Sequence, residues 1–152
     1  MASRGFEFAY MLDHSNATPL IRDFVLSTAA AHKIGDLMVI ESDGDLTQAA
    51  ATATEVFGVM QEAVAAAAIV AGTTKAKVAI LTRNQVWRCS ADASTMSGVA
   101  GYTKANDIVD CNTIDADNVD HGPCCIVDKS QLDDDGNVLC YVIFPDTTFG
   151  NT

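Results

Sequence analysis

The sequence predicts a mainly β domain, a small barrel or sandwich with at most one or two short helices. Three observations carry this. Between Lys33 and Cys89, apolar runs of strand length are separated by Gly-Asp and Asp-Gly turns. Cys124–Val127 and Val138–Phe144 read as a hairpin closed across Asp133-Asp134-Asp135-Gly136-Asn137. The segment richest in helix formers, Ala63–Val70, has neither charged side chains nor clear caps, and Ile69-Val70 pull it toward strand. With 152 residues the chain is one domain by length. A chain of this size buries about 68–70% of its unfolded surface, so no metal or disulfide is needed to hold it.

Each element follows from its local pattern. Phe6, Phe8, Tyr10 and Leu12 alternate with Glu7, Ala9 and Met11, which suits a strand or an extended arm laid on a partner. His14–Pro19 is a turn-rich break, and Ile21–Leu26 is a second apolar run. Gly35-Asp36 turns into a strand at Leu37–Ile40, which stops at Ser42-Asp43-Gly44-Asp45. Leu46–Ala53 is ambiguous, because Ala and Gln favour helix and Thr does not. Val56–Met60 is a strand in which Gly58 marks a bulge or a close backbone approach. Ala63–Val70 is a short helix or a buried strand. Lys75–Leu81 alternates cleanly, and Asn84-Gln85 turns into Val86–Cys89. Ser90–Gly101 reads as a long loop, Ile108-Val109 as a short strand, and Asn112–Pro123 as an Asp-rich loop. The chain therefore divides into residues 1–20 (arm or first strand), 21–145 (the β-domain) and 146–152 (a polar tail apart from Phe149).

Charge and composition exclude several function classes. The formal net charge is −11, so the chain repels phosphate backbones and anionic membrane surfaces, and neither nucleic acid nor membrane is expected as a partner. The acid is uneven: nine Asp and one basic residue, Lys129, lie between Asp107 and Asp135. No run approaches the roughly 20 apolar residues that span a bilayer. The start, MASRGFEFAYMLDHS, lacks an apolar core and a cleavage pattern, so use without Sec export is expected. Five Cys, an odd count with one adjacent pair, point to reduced thiols that act as small buried hydrophobes.

Candidate chemistry is thin. The loop Asp115-Ala116-Asp117-Asn118-Val119-Asp120 offers hard oxygens that suit Ca²⁺, but it lacks the Gly and terminal Glu of an EF-hand. It carries the alternative function, a ligand- or cation-binding β-module. His121, Cys124 and Cys125, with Cys111 and Cys140, have zinc-ligand types without a C-x-x-C pair. A thiol nucleophile would need Cys124 with His121, or Cys89 with His32 or His14, and no positive neighbour marks either thiol. No catalytic residue, metal or cofactor is assigned. Phe6, Phe8, Tyr10 and Phe149 are candidate partner contacts, because these aromatic side chains, with Phe144, lie near termini that are usually loose and so suit docking; the competing reading is that they complete the domain's own sheet. Trp87 joins the candidates because a single Trp in a strand fills a core or an interface more often than it stacks on a ligand.

Several segments together resemble a family. Lys33-Ile34-Gly35-Asp36-Leu37, then Glu55-Val56-Phe57-Gly58-Val59-Met60-Gln61-Glu62-Ala63, Lys75–Ala79 and Val86–Arg88 look like the capsid decoration (cement, or head-stabilising) proteins of tailed bacteriophages. Ile126-Val127-Asp128 and Asn137–Phe144 fit the closing strands, so the resemblance runs from about Lys33 to Phe144. It implies a β-barrel or β-tulip-like domain without enzymatic activity, present as a homotrimer on the capsid exterior after assembly in the host cytoplasm. The implied partners are the major capsid protein and further copies of the chain. It also implies an N-terminal arm reaching across the coat, for which Ala2–Leu12 is the candidate. The long Asp-rich second half departs from the smallest members.

Overall fold

The computed structural model describes residues 5–94, 105–116, 122–132, 135–145 and 147. Twelve strands form among them: β1 Glu7–Met11, β2 Ile21–Val25, β3 Leu37–Ile40, β4 Leu46–Gln48, β5 Gly58–Met60, β6 Lys75–Ile80, β7 Gln85–Ser90, β8 Ala105–Asn106, β9 Ile108–Asp110, β10 Thr113–Ile114, β11 Cys124–Leu132 and β12 Val138–Ile143. The helical content of the described residues is a single 3₁₀ turn at Ala66–Ala68. The fold is mainly β, as the turn spacing predicts.

Two five-stranded antiparallel sheets carry the architecture. One runs β1-β7-β12-β11-β8 and the other β2-β6-β5-β3-β4, with β9 and β10 as a separate ribbon. They pack face to face as a sandwich, not as a closed barrel. Phe6, Trp87, Cys89, Cys140, Val142 and Phe144 from the first sheet share a core with Leu37, Val59 and Ala79 from the second. Successive strand residues point to opposite faces, so Met38 and Val78 turn away from that core. They join Leu26, Leu46, Phe57, Met60 and Ile69 in a second core on the far side of the second sheet. The outer face of the first sheet is also apolar in part, where Val86, Cys125 and Ile143 pack with Ala9, Leu12, Val127 and Tyr141. A sheet buried on both faces reads as continuous apolar sequence, which is why Val56–Met60 shows no alternation.

Gly58 is a point of close approach. A Cβ there would lie 2.5 Å from Val78 Cγ1 and 2.7 Å from the carbonyl oxygen of Ala79. Only a residue without a side chain lets β5 sit this close to β6.

Ala63–Val70 takes the expected short-helix form only at Ala66–Ala68. Its one 3₁₀ turn is flanked by extended backbone at Ala65 and Ile69, with no side-chain cap. A helix this short cannot offset its nucleation cost without caps. The segment instead straps the second core: Val64 exchanges two 2.9 Å backbone hydrogen bonds with His32, and Ile69 is buried. The Asp-rich stretch also differs from the expected loop, because Thr113–Ile114 pairs with Ile108–Asp110.

The segment Glu7–Met11 is a strand of the first sheet. It pairs antiparallel with β7, Glu7 opposite Arg88 and Phe8 opposite Trp87, and after an irregularity Tyr10 stands opposite Val86. Among the described residues β1 is an end strand of the first sheet.

Candidate interface at the β1 edge

The aromatic residues singled out in the sequence divide into core and surface. Phe6 is 1% exposed, and its ring meets Phe144 edge-on at 5.4 Å between centroids. Trp87 is equally buried, at 1%. Its indole N–H donates to Gln85 Oε1 at 3.2 Å, and Phe8 packs edge-on against its ring at 5.6 Å. Phe6 and Trp87 therefore serve the chain's own sheet. Phe8 is half-buried and Tyr10 is exposed, so these two remain accessible at the edge. Phe149 lies outside the described residues.

Around Tyr10 the outer face of the first sheet forms an open groove of about 530 Å³. Phe8, Ala9 and Tyr10 line it from β1, Arg88 from β7, Tyr141 from β12 and Asp128 from β11. Register explains the grouping, since Tyr141 stands opposite both Arg88 and Asp128 in the ladder. Arg88 is committed: its Nη2 and Nε donate to Glu7 Oε2 at 2.7 and 3.2 Å. That hydrogen bond, with the adjacent Tyr141 hydroxyl as a lesser contributor, raises the guanidinium pKa further and holds Arg88 charged. Tyr10 stacks on His14 at 6.0 Å and tilts against Tyr141 at 6.4 Å.

A second groove lies between the start of β2 and the β6–β7 turn. It is walled by Met11, Leu20 and Ile80 and touches Thr18, Thr82, Asn84 and Gln85. Leu20 is 51% and Ile21 44% exposed there, and among the described residues β2 is an end strand of its sheet.

The thiol and metal candidates do not assemble into a site. All five Cys are buried, and none forms a disulfide with another described residue. Burial, then the neighbouring Asp36 and Asp110 charges, push the Cys111 thiol up to about 12, the opposite of what a nucleophile needs. His14 lies exposed against Tyr10, while His32 is buried with neither ring nitrogen hydrogen-bonded. Among the described residues no three His, Cys, Asp or Glu side chains converge to hold a metal ion. Residues 117–121, which include most of the Asp115–Asp120 loop and His121, lie outside the described residues.

No protein-family model matches the chain, and no curated protein is significantly similar to it.

Tyr10 and Phe8 were legible as interface candidates from their alternation near the terminus. Arg88, Asp128 and Tyr141 were not, because only the β7-β12-β11 order brings them together.

Proposed function

We propose that this chain is a non-enzymatic structural protein of the virion, which decorates the outer capsid surface of a tailed bacteriophage and stabilises contacts between major capsid protein subunits. The observation that carries the reading is where the family-like segments fall. Lys33–Leu37 leads into β3, Glu55–Ala63 contains β5 and Lys75–Ala79 supplies most of β6, with Leu37 opposite Val59 and Val59 opposite Ala79. Val86–Arg88 supplies the centre of β7, whose Trp87 joins the same core. Leu37, Val59, Ala79 and Trp87, one from each resembling segment, thus meet in one core, and this supports the reading.

The mode of work is passive. The domain offers grooves beside two of its end strands, β1 and β2. The second groove, with exposed Leu20 and Ile21, suits contact between copies in a homotrimer, where a cyclic arrangement lets each copy present the same surface to an equivalent coat position. The test is binding of the purified protein to capsids assembled without it. Saturable binding at a fixed copy number, with raised resistance to heat, is expected. Absence of saturable binding would end the reading. Light scattering on the free protein checks the trimer, and Ile21→Lys should split it without unfolding the domain.

A further inference from the structure

We propose that the groove lined by Phe8, Tyr10, Asp128 and Tyr141 receives an arginine side chain of a partner protein. The inference rests on the reading that this chain presents a surface to another protein. Arg88 is neutralised by Glu7 through two hydrogen bonds to one carboxylate oxygen. Asp128 is exposed and directly opposite Tyr141, and its carboxylate has no hydrogen bond or ion pair with another described side chain. The lining therefore holds one uncommitted negative charge beside the side chains of Tyr10 and Tyr141.

That combination selects the occupant. An anionic side chain is repelled by Asp128 and by a chain of net charge −11. A neutral apolar side chain would strip water from the Asp128 carboxylate and return no hydrogen bond. A cation satisfies the carboxylate and is attracted to the ring faces. Between the two cationic side chains, the guanidinium is planar, so it stacks on a tyrosine ring while its paired N–H groups meet a carboxylate edge. An ammonium group does one of these at a time. The acidic surface as a whole would draw such a partner in before contact.

The experiment follows the tyrosine ring signals of the full-length protein by NMR while N-acetyl-arginine methylamide is added. Saturable shifts at Tyr10 and Tyr141 are expected, with a dissociation constant in the millimolar range for so small a probe. The lysine analogue should bind several-fold more weakly, and the uncharged citrulline analogue should produce no saturable shift. Asp128→Asn keeps the shape and removes the charge, and should weaken binding on the order of fivefold. Tyr10→Leu keeps apolar bulk and removes the ring, and should weaken it comparably. No saturable shift with the arginine probe, or equal binding by Asp128→Asn, overturns the proposal. Capsid binding is measured on the same samples. Protein that binds capsids but not the arginine probe refutes the groove assignment alone; protein that binds the probe but not capsids refutes the decoration reading alone.

Discussion

Replacing Phe6 by Ala decides whether the N-terminal strand belongs to the core or is a separable arm. Phe6 is 1% exposed and packs edge-on against Phe144 with centroids 5.4 Å apart. Its N–H donates to the Gly35 carbonyl at 2.8 Å, which ties the start of β1 to the turn before β3. Truncating a ring at such a site removes its transfer free energy and leaves a cavity between the two sheets, at a cost of about 3–5 kcal/mol. The edge-to-face contact accounts for roughly 0.5–1.5 kcal/mol beyond area burial. In a domain of this size each kcal/mol lowers Tm by about 2–4 °C, so a fall of roughly 6–20 °C is expected. Urea unfolding followed by the emission of Trp87, the single and buried tryptophan, measures the loss directly. Tyr10→Ala is the control: at 38% exposure it should change stability by less than about 1 kcal/mol. If Phe6→Ala unfolds within about 1 kcal/mol of the parent, the ring is not part of the core and the arm reading of residues 1–20 returns.

Three further outcomes are expected. Gly58→Ala places a methyl group 2.7 Å from the Ala79 carbonyl oxygen, so the β5–β6 ladder must shift, and a loss of about 1–3 kcal/mol should appear in the same urea assay. Gln85 is buried and its Oε1 accepts from both the Trp87 indole and the Thr82 N–H, so Gln85→Met, which keeps the volume, should cost about 1–3 kcal/mol and shift Trp87 emission. The Cys111 thiol rises from 9.0 to about 12 on folding, so the folded protein holds that proton more tightly than the unfolded chain. This contribution is complete below pH 9.0 and is lost as pH climbs toward 12; Cys111→Ala should therefore show a shallower fall in stability across that window.

What the sequence determined by itself was local. The β11–β12 hairpin was legible because an Asp-Gly-Asn turn separates two apolar runs, and the structure pairs Cys125 with Ile143 and Leu132 with Val138. The close approach at Gly58 was legible because a glycine inside a strand pattern has few other uses. The Ala-rich strap over the second core was not. Its residues carry little propensity of their own, so the burial of Ile69 and the bridge from Val64 to His32 chose its form. The N-terminal alternation likewise fitted a strand or an arm equally well. Tertiary structure decided between them by pairing Glu7 with Arg88 across a sequence separation of 81 residues. The groove depends on that pairing and on two more, Arg88 with Tyr141 and Tyr141 with Asp128. Hydrophobic period and turn chemistry act between near neighbours, and so they are written in the chain. The partner of each strand follows from which faces exclude the most water together, a quantity that exists only once the two sheets have met.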